Sequence, residues 1–498
     1  MNVVSLIKKR SRIKCKRTWF SLPGSVFFVF FMSFCIWGSA QGPSIKSAPV
    51  AVFDIRAYGA VADGKTDNSV AIQKAIDACN AAGGGQVLLC AEPANNPAVF
   101  LSGPVEVKSG VELHLAAGTE LLASPDPGVY TLSAFTAQNT GEGTLWIYGE
   151  HIQDFSITGT GTINGNGISF MGKELEDSYE LKPFTEVDPR PHVLTIIDGK
   201  NIRVRDVQIG NSAYWTIHLV GCQDVVISGI TLKNSVKVRN SDGIDLDHSK
   251  DVRISDCHIE SGDDCICLKN RREYGAYGSC ENITVTGCTL TSRSCAIKIG
   301  SENMDTIRKV VFDNCIISNS NRGVGIQNRD EGIVDNVIFS NMIIEGHFFS
   351  DVWWGKAEPI YVTAYRRAKT SNKDASLRFP MGATEGRVGR VSNIFFTNIK
   401  CFSENGVFVG AQSQDKMDNI VFDNVDVFIN KTTNFPGGVY DRRPAEVEGF
   451  VKGKTAGFYF DTAARITVRN CSVNWGEHKA VYYGDSLYQK DVRQLVWK

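Results

Sequence analysis

VVISGITLK at residues 225–233 is one copy of a pattern that recurs along this chain. The next copies read VRISDCHIE at 252–260, ITVTGCTLT at 283–291 and VVFDNCIIS at 310–318, so successive starts are 27, 31 and 27 residues apart. Each copy alternates apolar with polar residues, is rich in β-branched side chains and carries Gly, Asp or Asn near its middle. These features are typical of short strands rather than helices.

Further starts extend the repeat in both directions, with wider spacing where loops intervene. They lie at Ile202, Val337, Ile394, Ile420 and Ile466. A period of this length indicates stacked coils of several strands each, placed on one another at ~4.8 Å. We therefore predict an all-β protein, a parallel β-helix, with a single domain over residues 41–498. An amphipathic stretch at 69–82, after Asp67 and Asn68 and before three glycines, predicts an N-terminal capping helix.

The first 40 residues differ from the rest of the chain. They carry seven Lys or Arg and no Asp or Glu, and an apolar run at 26–37 precedes Gly38, Ser39 and Ala40. This order is typical of a secretory signal peptide, and the run is shorter than the ~20 residues of a spanning helix. We predict a secreted protein, with an uncleaved signal anchor and a membrane tether as the alternative.

The charge of the remaining chain argues against a nucleic-acid partner. Without the leader the protein has 46 basic and 54 acidic residues, and an acidic protein has no general attraction for nucleic acid. Local cations could still bind an acidic polysaccharide. Three Asn-X-Ser/Thr sequons, at Asn282, Asn430 and Asn470, are compatible with an exported glycoprotein.

Four cysteines follow the repeat, five residues after a start. They are Cys257, Cys288, Cys315 and Cys471. We predict that these are reduced thiols in the interior, where Cys behaves as a small hydrophobe. Cysteines outside this row could form disulfides, whose pairing a sequence does not give; they are Cys79, Cys90, Cys265, Cys267, Cys280 and Cys295. The Cys265-Ile266-Cys267 spacing is too short for a zinc knuckle.

Acidic residues collect where successive coils begin the same strand. Aligning GIDL at 243–246 with CICL at 265–268 places Asp242 and Asp264 directly before equivalent strands, with Asp263 beside them. Equivalent positions stack in a parallel β-helix, so we expect three carboxylates at one corner. Like charges raise the pKa of at least one such group, which supplies an acid beside a base, as glycoside hydrolysis requires. Turn capping by Asp and a calcium site remain alternatives.

Five motifs together resemble the polygalacturonase family, glycoside hydrolase family 28. They are FDIRAYGA at 53–60, GTINGNG at 161–167, WTIH at 215–218, NSDGID at 240–245 and GDDCI at 262–266. The resemblance covers nearly the whole chain after the leader. It implies a right-handed, pectin-lyase-like β-helix and inverting hydrolysis of an acidic pectic polysaccharide of the cell wall, without a cofactor or metal. It further implies Asp263 as proton donor, with Asp242 and Asp264 activating the water, and we expect a monomer.

Two sites depart from the family pattern. Ser294-Cys295-Ala296 stands where the family has Gly-His-Gly, and Gly325-Ile326-Gln327 stands where it has Arg-Ile-Lys. The resemblance assigns the missing cations to the substrate carboxylate, and a neutral Gln cannot replace a charge-assisted contact. We predict that Lys298, on the strand beside Gly325, restores one positive charge by reaching across the glycine.

Substrate contacts are therefore assigned to four side chains: Asn240, Lys298, Arg329 and Tyr361. Arg293 is a further candidate cation, and Trp353 is expected to pack under a loop. Galacturonan is the first substrate, with a rhamnogalacturonan-like backbone as the alternative. A calcium-dependent pectate lyase and a non-catalytic wall-binding protein are the remaining function classes.

Overall fold

The computed structural model describes residues 50–91, 97–135, 143–172, 190–350, 353–367 and 387–498. The expected signal segment lies outside the described residues. Residues 50–498 form one compact unit. Within the described ranges, no helix is long and apolar enough to cross a membrane.

Among the described residues, the unit consists of one α-helix, a few short 3₁₀ turns and a long series of short strands. The helix is α1, Ser69–Ala81. Short 3₁₀ turns lie at Ile55–Tyr58, Pro127–Val129, Gly167–Phe170, Arg272–Tyr277 and Gln414–Lys416. The strands are β1 Val52–Asp54, β2 Asp63–Asp67, β3 Gly85–Leu89, β4 Ala98–Ser102, β5 Val105–Glu106, β6 Val111–Leu115, β7 Thr119–Ala123, β8 Thr144–Glu150, β9 Gln153–Gly159, β10 Thr162–Asn164, β11 Pro191–Ile197, β12 Lys200–Arg205, β13 Gln208–Gly210, β14 Ile217–Val220, β15 Gln223–Ser228, β16 Thr231–Lys233, β17 Ile244–Asp247, β18 Lys250–Ser255, β19 His258–Ser261, β20 Ile266–Asn270, β21 Cys280–Thr286, β22 Thr289–Ser292, β23 Cys295–Asn303, β24 Thr306–Asp313, β25 Ile316–Ser320, β26 Arg322–Asn328, β27 Ile333–Gly346, β28 Ile360–Ala364, β29 Val391–Ser403, β30 Val407–Ala411, β31 Met417–Ile429, β32 Val439–Asp441, β33 Phe450–Lys452, β34 Phe458–Arg469, β35 Ser472–Trp475 and β36 Leu487–Trp497.

The strands stack as a right-handed parallel β-helix, which confirms the predicted fold class. Apart from the antiparallel pair β32–β33, the named strands pair in parallel with the equivalent strand of the next coil. Three ladders of strands result. The first, which bears the site, runs β5, β8, β11, β14, β17, β20, β23, β26, β28, β30 and the start of β34.

Inward side chains form apolar ladders because equivalent positions stack from coil to coil. Phe312, Phe339, Phe396 and Phe422 stack with successive ring centroids 5.0 Å apart. Cys257, Cys288 and Cys315 are buried in such a ladder, as predicted, whereas Cys471 is only partly buried. No disulfide joins any of the twelve cysteines of the described residues.

Helix α1 covers the start of the solenoid, close to the predicted bounds. Its apolar face buries Ile72, Ile76 and Cys79, and the helix lies against β1, β3 and β5. Asp67 accepts the backbone N–H of Ser69 at 2.9 Å and thus satisfies one free donor of the first turn. The capping helix is therefore confirmed.

Candidate active site

Two strands of the first ladder place the acidic corner. Ile244 of β17 pairs with Ile266 of β20, and the N–H of Gly243 donates to the carbonyl oxygen of Asp264 at 2.8 Å. Asp242 and Asp264 therefore lie one coil apart at the start of equivalent strands, as the alignment predicts. Alternation then turns Ile244 inwards and leaves the next residue, Asp245, on the outer face.

The three carboxylates form one cluster. An oxygen of each of Asp242, Asp263 and Asp264 lies within 4.8 Å of the others. Relative exposures are 2% for Asp242, 7% for Asp263 and 1% for Asp264, so Asp263 has the greatest access to solvent. The backbone is tight here, because a Cβ on Gly262 would lie 2.3 Å from the carbonyl oxygen of Val238.

Hydrogen bonds from neighbouring coils fix Asp263. Its Oδ2 accepts the N–H of Asn240 at 3.2 Å, and its own N–H donates to Ser261 Oγ at 3.1 Å. The hydroxyl of Ser292, one coil further on, donates to the carbonyl oxygen of Asp263 at 2.6 Å. Asn240 contacts the acid through its backbone, while its side-chain oxygen accepts from Arg190 at 3.3 Å.

Two lysines, Lys269, which is buried, and Lys298, which is largely buried, compensate the negative charge of the cluster. Lys298 Nζ lies 2.6 Å from Asp264 Oδ2. Lys269 Nζ lies 3.1 Å from Asp245 Oδ1 and 3.8 Å from Asp242 Oδ2, and it stands 3.9 Å from the centre of the Trp215 ring. The sequence shows no cation next to the aspartates, but the fold brings these two from outer positions of β20 and β23.

Burial and mutual repulsion raise the pKa values of several carboxyls at this corner. Burial first, and then repulsion by Asp264, raise the pKa of Asp263 to about 6. Burial, with repulsion by Asp245 and Asp263, raises the pKa of Asp242 well above its usual range. Burial raises the pKa of Asp245 to about 7 although Lys269 opposes the shift. The most exposed carboxyl of the corner, Asp263, thus keeps a proton up to a pH of about 6.

Asp245 and Lys269 are members of the site that the sequence interpretation missed. Both are outer residues of strands whose inner residues are predicted correctly. A charged residue on the outer face beside the acidic corner is the signal that could have found them. Asp242 Oδ1 and Asp264 Oδ1 are buried and have no hydrogen-bond partner among the described residues, which leaves acceptors free for a small polar molecule.

The positions that depart from the family pattern contact one another. Lys298 pairs with Gly325 along the ladder, and a Cβ on Gly325 would lie 2.8 Å from Cys295 Sγ. The thiol thus fills the space beside the glycine. The sequence interpretation expected Lys298 to reach across Gly325, and this is not what the structure shows. The amine of Lys298 is directed to Asp264 instead, because that carboxylate needs a counter-charge. Gln327 is buried two residues further on.

Arg329 and Tyr361 lie beneath the surface. Both are fully buried, and Arg329 donates to the Tyr361 hydroxyl at 3.2 Å and to the carbonyl oxygen of Arg442 at 3.0 Å. Arg293 is half-buried, with its guanidinium 4.0 Å from the centre of the Phe349 ring. Trp353 is also half-buried, and its ring stacks against Trp354.

The cluster could also hold a hard cation, since three carboxylate oxygens suit one. Lys298 already supplies a positive charge to Asp264, so charge compensation at this corner does not depend on a metal. The arrangement of a proton-bearing carboxyl beside ion-paired carboxylates suits general acid–base chemistry.

Comparison with known proteins gives one matching family and several relatives. The profile of Glycosyl hydrolases family 28 matches residues 96–434. A probable polygalacturonase of Vitis vinifera is 31% identical over 289 residues, which are 54% of this chain and 55% of that protein. An endo-polygalacturonase of Pectobacterium carotovorum is 27% identical over 324 residues, 62% of this chain and 75% of that protein. The chain thus spans about half the length of the first relative.

Solved structures share the fold. An exopolygalacturonase from Thermotoga maritima superimposes with a TM-score of 0.62 at 22% identity, covering 86% of this chain and 93% of that one. The polygalacturonase from Erwinia carotovora gives a TM-score of 0.54 at 21% identity, covering 88% and 97%. At this level of identity the likeness supports the β-helix and nothing finer.

Proposed function

Since this chain belongs to glycosyl hydrolases family 28, we propose that it is a pectin-degrading hydrolase, and more finely a secreted polygalacturonase that cleaves galacturonan by acid–base catalysis. The observation that carries the proposal is the Asp242, Asp263 and Asp264 cluster, with oxygens within 4.8 Å of one another. The export route rests on the leader pattern of residues 1–40.

Asp263 is the proton donor in this proposal. It is the most exposed of the three carboxyls, and its pKa of about 6 keeps a proton available in mildly acidic surroundings. As the glycosidic bond breaks, Asp263 transfers this proton to the leaving oxygen. A raised pKa on the acid and an ionised partner nearby are the requirements for glycoside hydrolysis.

Asp242 and Asp264 bind and activate the water. Each has one buried oxygen without a hydrogen-bond partner in the described part of the chain, and the two residues stand at equivalent positions of adjacent coils. The water oxygen bonds to the anomeric carbon, and its proton passes to Asp264, the carboxylate paired with Lys298, while Asp242, whose pKa is raised well above its usual range by burial, helps to position the water. Lys298 holds Asp264 in place and offers positive charge beside an acidic sugar.

The proposal is tested by measuring reducing ends that the secreted protein releases from a panel of defined pectic oligosaccharides. The panel contains homogalacturonan, methyl-esterified and rhamnogalacturonan fragments. Release from the unesterified galacturonan is the expected result. Ultraviolet-absorbing, unsaturated products that a chelator suppresses would instead identify a lyase, and binding without cleavage would identify a wall-binding protein.

The pH dependence follows from the state of Asp263. The general acid must be protonated, so kcat/KM should fall as pH rises through about 6, approaching a tenfold loss per pH unit above it. The fall has this sign because burial raises the pKa and ionisation removes the proton that the leaving oxygen needs. A pH–rate profile of kcat/KM checks it, and a flat profile between mildly acidic and mildly alkaline pH would exclude Asp263 as the acid.

Inversion at the anomeric carbon is a second expected result. The family resemblance implies it, although the cluster is tighter than the ~6.5–9.5 Å that usually separates carboxyls in inverting enzymes. Two carboxylates that share one water leave no free nucleophile, which supports direct attack by the water. Proton NMR of the first product decides the matter: galacturonan has α-linkages, so the new reducing end should appear as the β-anomer, whereas an α-anomer would indicate a covalent intermediate.

A further inference from the structure

The outer face of the first ladder carries a continuous row of residues, here called the outer row. In order of coils it contains His218, Asp245, Cys267, Lys298, Gly325, Tyr361, Phe408 and Tyr459. A polysaccharide lying along an open cleft would run over such a row. Yet all of its members except Lys298 are buried, and the side chain of Lys298 is only 12% exposed.

Residues 439–456 cover the C-terminal end of the outer row, and are here called the C-terminal wall. Within them, β32 and β33 form the antiparallel pair. The Tyr440 ring lies 5.0 Å from that of Phe408 and 4.8 Å from that of Tyr459. Tyr361 beneath has no exposed surface. The outer row is therefore available for substrate binding only as far as the coil that precedes Tyr361.

Buried charges anchor the C-terminal wall to the β-helix. Arg322 Nε donates to Glu358 Oε2 at 3.0 Å, and its Nη2 donates to the carbonyl oxygen of Asp441 at 2.7 Å. The N–H of Asp441 returns a hydrogen bond to Glu358 Oε1 at 3.0 Å. Such a network, satisfied at each of these groups, holds the wall in one position.

Aromatic side chains cover the opposite end of the outer row and form the N-terminal wall, Phe135, Trp215 and Tyr274. Trp215 lies 4.9 Å from the His218 ring and 5.0 Å from that of Phe135. Arg271 stacks on Phe135 at 4.0 Å, and the Tyr274 hydroxyl donates to the carbonyl oxygen of Ala134. His218 is fully buried in consequence.

The carboxylate cluster thus stands between two walls. His218 and Tyr361, the covered residues at either side, are five coil steps apart, about 24 Å at the ~4.8 Å spacing of paired strands. We propose that this site is a pocket for one end of a galacturonan chain, so that the enzyme releases short products from that end and does not cut within the chain. This inference rests on the proposed function and specifies its mode of action.

The pocket has the chemistry that an acidic chain end needs. Lys298 and Lys269 place two positive charges within it, and both are held in position by carboxylates. A sugar that enters with its end first leaves water and contacts walls that are already formed. Binding therefore orders few protein side chains and loses little conformational entropy. A long chain could lie across the cluster only if both walls moved away.

The wild-type protein provides the first test, on polymeric galacturonan. Reducing ends should accumulate while viscosity changes by less than about twofold, and mono- or disaccharide should be the first product. An endo-acting polygalacturonase under the same conditions should lower viscosity steeply and is the control. A ladder of intermediate lengths at early times would overturn the pocket and leave the hydrolase proposal intact, whereas no release of reducing ends from any pectic substrate would overturn both.

Chain ends provide the second test. Oligogalacturonides modified at the reducing or at the non-reducing terminus are supplied separately, and modification of one terminus should abolish cleavage while the other has no effect. In the Asp263→Asn variant, which allows binding without turnover, calorimetry should show that Kd stops improving once the oligomer fills the pocket. Cleavage that ignores both modifications, or affinity that rises steadily with length, would show an open cleft.

Discussion

Asp263→Asn is expected to lower kcat on galacturonan by roughly 10²–10⁴-fold, the usual contribution of a general acid. The amide has nearly the same shape as the carboxyl and can still accept the N–H of Asn240. It cannot supply a proton to the leaving oxygen at any accessible pH. KM should change little, since the substitution leaves the walls and the lysines in place, and the decline of kcat/KM above pH about 6 should vanish.

The matched control is Asp256→Asn. Asp256 is exposed, and its φ of 56° lies in the left-handed region that Asn tolerates well. It should have unchanged kcat and unchanged free energy of unfolding. Steady-state kinetics with a thermal melt of each variant separate loss of chemistry from loss of fold. Equal turnover of the wild type and Asp263→Asn would remove Asp263 from the mechanism.

Lys298→Met has the second large expected effect, on stability and rate together. The substitution leaves Asp264, 1% exposed, without the amine that lies 2.6 Å from it. Breaking a buried pair on one side typically costs about 3–5 kcal/mol in the free energy of unfolding. kcat should fall by roughly 10²-fold as well, as when one preorganised electrostatic contact is removed from an active site.

A second substitution separates these two effects. Adding Asp264→Asn to Lys298→Met removes the orphaned charge, so urea denaturation should recover much of the lost stability while kcat stays low. Lys298→Arg should preserve the ion pair in part, although a planar fork does not reproduce a point charge. Lys233→Met, at an exposed pair with Glu260, is the control and should cost no more than about 1 kcal/mol. Unchanged stability and turnover in Lys298→Met would remove Lys298 from the site.

The repeat predicts the fold well because each coil encodes itself locally. The spacing of apolar residues along the chain predicts the alternation of the strands and the helix that begins at Ser69. It also predicts the interior positions of Cys257, Cys288 and Cys315. Asp242 and Asp264 come together for the same reason, since stacking turns a sequence offset of one coil into contact. Residues that recur once per repeat in the sequence therefore stack on one another in the structure.

The repeat does not predict which side chains of different coils contact one another, or which coils are covered by segments outside the repeat. Lys298 pairs with Asp264 and not across Gly325, because the direction of a long side chain depends on the charges around it in three dimensions. Arg329 and Tyr361 are buried because residues 439–456, far along the sequence, fold back over them. No feature of the strand bearing Tyr361 indicates that cover.

The packing of Cys295 against Gly325 limits which side chains these two positions can hold. Any side chain at 325 must first displace the thiol, whose Sγ would lie 2.8 Å from a new Cβ. Arginine at 325 would therefore overpack a filled space, and histidine at 295 would place a larger side chain where the thiol now packs against Gly325. The two positions are therefore sterically coupled, and the effects of substitutions at Cys295 and Gly325 on stability should not be additive.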